Sequence, residues 1–466
     1  MVTIQETEFK ERGLLAVNRA KKFGRPILIS EVHKLDTINP ISFFNSGRER
    51  YLGERFYWKD LSGKMVLAGL GISKQIQSDQ ATDRFFHVQE AWDNFLKDSV
   101  IFNPYKEDGL GPVMFGGFSF DPLKEKTGLW SIFADSLFHI PKYMLTVIDG
   151  QSFLTTNIVC TSNDDMNLFE KIIEERQLLL NSLSYKKDVH LAELMNMEEI
   201  SPQSWKQTVD DVAGELKNGP LKKVVLAREL RLFFNQAVKA EGVLQNLYDQ
   251  QRESFIFTFE SNGDCFIGAT PERLVKKQGN EVYSTCLAGS IPRGQTEEED
   301  RILGETLLND QKNLNEHGFV VEMIKEALAE LCEEVMLPKK PQLMKMRDIQ
   351  HLYTPVMGKA HKDTSLLGLV ERLHPTPALG GLPKLEAVDK IREVEELDRG
   401  FYAAPIGWLD YRGNGEFAVA IRSGLIQGNE ASLFAGCGVV ADSTSESEFI
   451  ETRLKFRPML RALGGK

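Results

Sequence analysis

Short apolar runs with the two-residue period of a β-strand recur along the whole of this 466-residue chain, closed by turn signals. In PKYMLTVIDGQSFLTTNIV (141–159), Asp149-Gly150 separates two such runs, the signature of a tight hairpin. A second hairpin joins IGWLDY to EFAVAIRSG through Arg412-Gly413-Asn414-Gly415, and SLFAGCGVV (432–440) follows as a third strand. MVLAGLGIS (65–73), KVVLARELRLFF (223–234) and SFIFTFE (254–260) read as strands, and PVMFGGFSFDP (112–122) as a buried strand broken at Gly116-Gly117. Helical spacing interrupts them. Val88, Trp92 and Phe95 lie four and three apart, 163–183 is amphipathic, and a helix over 201–219 ends at Gly219-Pro220. Thr296 and Glu299 form a capping box, and Ser445, with Glu448 three residues on, begins a final helix. Antiparallel strand signals interleaved with helices imply an α+β fold.

The polar stretch 184–200 is the one internal boundary the sequence offers, and it has no Pro/Gly/Ser linker. We therefore expect an N-terminal portion, 1–195, and a catalytic portion, 196–466, interlocked in one compact unit. A formal net charge of −11 opposes nucleic acid as the main partner, because phosphate binding needs a basic surface. A small anionic substrate stays open if local cations reverse the field. No apolar block resembles a secretory signal, and no run reaches the roughly 18 residues of a membrane span. Cys160, Cys265, Cys286, Cys332 and Cys437 are scattered without a CxxC pair, which suits reduced thiols and a cytoplasmic location.

Four charged residues in the last 250 positions stand where solvated charge is not the obvious account. Glu316 precedes Val320, Ile324, Leu328, Leu331 and Val335, so it extends an apolar helical stripe back by one turn. A buried carboxylate there needs a partner, while a first-turn Glu favoured by the helix dipole is the plainer account. On the last helix Phe449, Phe456, Leu460 and Leu463 mark the core face; Glu448, Glu451 and Lys455 occupy another. A solvated Glu451–Lys455 pair is the simpler reading, a carboxylate metal ligand beside an anion-binding lysine the alternative. Lys223 opens a β-branched strand; as a general base it must be held neutral, and Lys222 and Arg228 are close in sequence. Glu272 follows Thr270-Pro271, which fits a capped helix start. Ala435-Gly436-Cys437-Gly438 and Leu287-Ala288-Gly289-Ser290 can bring backbone N–H groups near a carboxylate. His351 and His374 read as hydrogen-bonded structural histidines.

In order along the chain, KVVLAR (223–228), GATPERL (268–274), LAGSIPRG (287–294), NEHGFVV (315–321), QHLYT (350–354), LHPTPALGG (373–381), GWLDYRGNGEFAVAIRSG (407–424), FAGCGVVADSTSESEF (434–449) and ETRLK (451–455) resemble the chorismate-utilising enzymes. That family includes isochorismate, salicylate, anthranilate and aminodeoxychorismate synthases. The resemblance is strong over about 201–466 and weaker before, where FGGFSFDP (115–122) resembles long isochorismate synthases. It implies a large antiparallel β-sandwich core flanked by helices. It implies Mg²⁺ held by Glu316 and Glu451, with Glu448 beside the metal, Lys223 as the base that activates water for attack at C2, and Glu272 as the acid that protonates the departing C4 hydroxyl. Arg422 and Lys455 match carboxylate-binding positions, Gly289 and Gly436 glycines whose backbone approaches the substrate, and His351 and Ala378 line the corresponding site.

Aminodeoxychorismate synthases resemble Pro-Ile-Lys-Gly-Thr where this chain has Leu-Ala-Gly-Ser, so Ala288 stands in place of a nucleophilic lysine. Lys223 favours water over ammonia as nucleophile, and no glutaminase subunit is expected. The resemblance therefore implies an isochorismate synthase, of the menaquinone type from the long N-terminal portion, with salicylate synthase or a siderophore-type enzyme as the alternatives. Lys312-Asn313-Leu314-Asn315 departs from the family in lacking the Arg often found before Glu-His. Without the resemblance, a Mg²⁺-dependent hydrolase would be the reading of the same charges.

Overall fold

Strand pairing dominates the architecture. A computed structural model describes residues 2–183, 191–347 and 349–465, among which twenty-one strands join one hydrogen-bonded network. One antiparallel path begins at Lys223–Phe234 and passes through Glu430–Val439, Ser423–Gln427, Asp264–Thr270, Phe255–Ser261, Arg55–Lys59, Met65–Ser78 and Ser136–Ile148. It continues through Val113–Phe118, Pro405–Asp410, Gly415–Val419, Arg273–Gln278, Glu281–Pro292 and Ile349–Ala360. Pairings such as Phe257 with Trp58 and Trp408 with Phe115 join residues on both sides of position 195.

Among the described residues, alternation along the strands builds two main cores. Phe255, Phe257 and Phe259 enter an inner cluster with Phe115, Phe138, Trp408, Phe417 and Phe434. Ile256, between them, faces an outer cluster roofed by helices through Phe9, Phe169, Val243, Phe456 and Met459. The period of two thus sends one face to the sandwich interior and the other to the helices. This is the expected α+β sandwich.

Several local expectations need correction. Gly116 and Gly117 do not break their strand: Val113–Phe118 is continuous, and a side chain at Gly116 would meet the Leu137 carbonyl at 2.0 Å. The glycines admit two neighbouring backbones, not a turn. Within the polar stretch, 184–190 lies outside the described residues and Leu194–Glu199 is an edge strand paired with Leu230–Phe234. The last helix, Ser445–Ala462, is capped by Thr444, whose side chain accepts from the Ser447 amide, one residue before the expected cap. The helix of Glu316 runs Gln311–Ala329, capped by Asp310. Leu331 and Val335 fall beyond it, Val335 in the strand Cys332–Met336.

The most consequential correction concerns Thr270-Pro271-Glu272. It starts no helix; it joins Asp264–Thr270 to Arg273–Gln278. The first strand pairs with Ser423–Gln427, the second with Gly415–Val419. EFAVAIRSG likewise divides at Ala420–Arg422 instead of forming one strand. Two neighbouring strand pairs therefore change course together, and the crossings are laced by Val419 N–H to Glu272 O at 2.9 Å and Ala269 N–H to Arg422 O at 3.1 Å. Proline, with no N–H to give a ladder, suits such a corner.

Candidate active site

The corner where the strands cross sets Glu272 and Arg422 side by side. Arg422 has φ +51°, a left-handed backbone uncommon for a side chain of this size, held by the strands on either side. Glu272 is 6% exposed. Burial pushes its carboxyl up to about 7, against the opposing pull of the positive charges of Arg422, Lys223 and Lys455. A carboxylic acid and three cations thus occupy one electrostatic neighbourhood.

Lys223 is the first residue of its strand and forms an ion pair with Glu316. Its side chain crosses over Gly438 on the paired strand, where an added Cβ would lie 2.4 Å from Lys223 Cε. Gly436, two residues earlier, faces the Tyr402 hydroxyl, which a Cβ would meet at 3.3 Å. The Gly436 carbonyl accepts from Lys455 Nζ at 2.8 Å, and the same nitrogen pairs with Glu451 at 2.6 Å. Glu451, half exposed, is held below the usual carboxylate range: the burial that would raise it is outweighed by Lys455, Arg422 and Lys223. The Glu451–Lys455 pair thus shares the electrostatic neighbourhood of Glu272, Lys223 and Arg422 and is not an isolated surface pair.

One turn before, Glu448 is raised by burial and by the charge of Glu451. Its Oε1 accepts from Ser443 Oγ at 2.8 Å, while Oε2 is buried without a hydrogen-bond partner. An orphaned carboxylate oxygen near a second carboxylate fits a hard divalent cation. Among the described residues no three His, Cys, Asp or Glu side chains are grouped as a ready-made cage. Mg²⁺ does not require one, since it commonly takes one or two carboxylates and completes its shell with water and substrate oxygens.

His351 faces the group from the strand Ile349–Ala360. Its Nδ1 is 2.6 Å from Ser290 Oγ, whereas Nε2 is buried without a partner. Burial, then the charges of Arg422 and Lys455, push its ring down to about 3, so it is neutral at physiological pH. Gly289 has φ +81° at a bulge in the pairing between Leu287 and Ser290, a backbone glycine adopts without strain. Ala378 is half-buried in the loop entering Gly381–Leu382. That loop is stitched to the Lys223 strand by Val225 N–H to Gly380 O at 2.9 Å. His374, by contrast, bonds the Phe120 carbonyl as a structural histidine.

Sequence reasoning missed Tyr402 and His317. Tyr402 lay in a run with no charge pattern to single it out; buried, it approaches Gly436 and its hydroxyl is perturbed first by burial and then by Arg399 and Arg422. His317 was passed over beside Glu316, yet it is 3% exposed and bonded at both ring nitrogens. A separate cavity of about 330 Å³, bordered by Trp205, Leu226, Arg228, Glu395 and Leu397, holds none of the candidate residues.

A family model described as "Chorismate binding enzyme" matches residues 15–464. The chain belongs to the chorismate-binding enzyme family. Isochorismate synthase MenF of Bacillus subtilis (strain 168) is 44% identical over 474 residues, covering 100% of both chains. The salicylate biosynthesis isochorismate synthase of Pseudomonas aeruginosa is 33% identical, over 97% of this chain and 94% of that one. The crystal structure of MenF, the menaquinone-specific isochorismate synthase from Escherichia coli, superposes with a TM-score of 0.78 at 23% identity, over 97% of this chain and 99% of that one. It shares the fold. Among the described residues no helix is long and apolar enough to cross a membrane.

Proposed function

We propose that this chorismate-binding enzyme is a Mg²⁺-dependent isochorismate synthase that serves menaquinone formation in the cytoplasm. The observation that carries the reading is the buried acid Glu272 in the field of Lys223, Arg422 and Lys455. The full-length identity to an isochorismate synthase supports it.

Chorismate carries two carboxylates into a protein of net charge −11, so the site must reverse the sign of the field locally. Arg422 and Lys455 serve as the carboxylate-binding cations. The backbones at Gly289 and Gly436 approach the substrate, and His351 and Ala378 line it. Glu316 and Glu451 would hold Mg²⁺, with Glu448 beside it, and the bound ion would supply the positive charge that offsets a substrate carboxylate. Lys223 acts as the neutral amine, released from its ion pair with Glu316 and rid of its proton, and takes a proton from the water that attacks C2. Glu272 gives its proton to the C4 hydroxyl, which leaves as water while the ring double bond migrates. One water enters and one leaves, so the product is an isomer. Resetting the site returns the proton from Lys223 to Glu272 through solvent.

The test is chromatography of chorismate incubated with the protein and Mg²⁺ in the absence of ammonia. Isochorismate is the expected product. Salicylate with pyruvate would replace the reading by salicylate synthase, and unchanged chorismate would end it.

A further inference from the structure

His317 follows Glu316 on the helix Gln311–Ala329 but is buried, while Glu316 reaches the edge of the site. Its Nδ1 lies 2.9 Å from the Ala288 carbonyl and its Nε2 2.7 Å from Thr354 Oγ1. A carbonyl only accepts, so Nδ1 carries the proton; in a neutral ring Nε2 is then the acceptor and the Thr354 hydroxyl donates. Cys286 closes a third side, with Sγ 3.6 Å from Nδ1 and donating towards the His317 carbonyl at 3.8 Å.

The strands joined by this ring are those of the bulge. Leu287 pairs with Tyr353, pairing resumes at Ser290 with His351, and Ala288 and Gly289 are left between them. Within that bulge the Ala288 carbonyl accepts from His317 Nδ1. Gly289 follows at φ +81°, and a Cβ there would meet Asn313, on the same helix as His317, at 3.1 Å. Helix, bulge and the strand of His351 therefore meet at one imidazole.

We propose that His317 is a positioning residue: as a single Nδ1–H tautomer it clamps the Ala288–Gly289 bulge to the strand of Thr354 and keeps Glu316 in register with both. A residue that only filled space would affect melting and expression. A clamp acts on what Gly289 and Glu316 bind, so its loss appears in KM and in Mg²⁺ demand while the protein remains folded. The inference rests on the proposed roles of Gly289 and Glu316, and part of its test is independent of turnover.

His317→Asn retains a donor near the Nδ1 position, whereas His317→Gln places its amide nearer Nε2. Variants folded by circular dichroism are assayed for chorismate KM and for the Mg²⁺ concentration at half-maximal rate. A rise of about tenfold or more is expected in both for His317→Gln, with most of it recovered in His317→Asn. Equal behaviour of the two variants, or wild-type values in both, overturns the clamp. Thr354→Val removes the donor to Nε2 while keeping the ring; a raised KM is expected, and an unchanged KM overturns the proposal. Independently, ¹⁵N spectra of histidine-labelled wild-type protein should show the Nδ1–H tautomer for the ring whose signals vanish in the substituted variants, and an Nε2–H tautomer refutes it. If the wild type leaves chorismate unchanged, the activity reading fails and the tautomer measurement alone decides the clamp.

Discussion

Lys223 and Glu316, 93 residues apart in sequence, form an ion pair across the site. The proposed base is thus held by a proposed metal ligand, and each constrains the other. Replacing Lys223 by Ala should lower kcat by about 10²–10⁴-fold, the usual contribution of a positioned acid or base. The fold should barely notice, because the Glu316 side chain is 36% exposed and can be solvated. Saturating turnover and a thermal melt check both halves, and a kcat within tenfold of wild type would remove Lys223 from the mechanism.

Gly438 makes room for that lysine. An Ala at this position would place Cβ 2.4 Å from Lys223 Cε and 3.0 Å from Nζ. Those atoms end a flexible side chain, so the lysine can move aside and the fold should lose no more than about 1 kcal/mol. Catalysis should suffer more, since displacement of a reacting group by about 1 Å can cost on the order of 10²-fold. A melting temperature near wild type with kcat/KM reduced tenfold or more is the expected pattern for Gly438→Ala. A large loss of stability with normal specific activity of the folded fraction would contradict it.

Glu272 sets a pH limit. It acts only while protonated, and its pKa of about 7 makes kcat/KM fall as pH rises above neutrality. The same elevation bears on stability. Between the ordinary 4.5 and about 7 the native state binds the extra proton, so this favourable contribution is present in full below pH 4.5 and lost as pH rises to 7. Glu272→Gln removes the charge that must otherwise be buried above pH 7. It should abolish turnover and raise stability at pH 8 by up to about 3 kcal/mol, with little gain at pH 4.5. Melts at the two pH values test this, and equal effects at both would argue against a buried carboxylate of raised pKa.

The corner between the crossing strands explains what was legible in the sequence. Alternation and turn residues identified Lys223–Phe234 and the hairpin around Arg412–Gly415 because both signals are local. Glu272 looked like a helix start because Thr-Pro-Glu satisfies helix-cap chemistry equally well. Only the partner strands, some 150 residues away, make it a crossing. Arg422 is reached only through the family resemblance, because periodicity places it inside a run with uninterrupted strand character. His317 carries no periodic signal that separates it from a packed helix residue. Its partners, Ala288 and Thr354, lie on strands whose adjacency depends on the whole sheet.

Glu448 offers the sharpest check on the metal. Its Oε2 is buried without a hydrogen bond, and burial, with the charge of Glu451, raises its pKa against the opposing pull of Ser443, Cys437 and Lys455, so ionising it at alkaline pH costs stability when no cation is bound. Glu448→Gln keeps the shape and removes the charge. In EDTA at pH 8 the variant should therefore melt no lower than wild type, and the difference should shrink as pH falls and the wild-type carboxyl takes up its proton. In Mg²⁺ the order should reverse in function: half-maximal activity should need roughly 10–100-fold more metal, the scale of losses at groups that support a metal site. Titration calorimetry with Mg²⁺ in the presence of chorismate measures that affinity directly. A variant that is less stable in EDTA yet binds Mg²⁺ like wild type would make Glu448 a structural acid held by Ser443, and the metal would then rest on Glu316 and Glu451 alone.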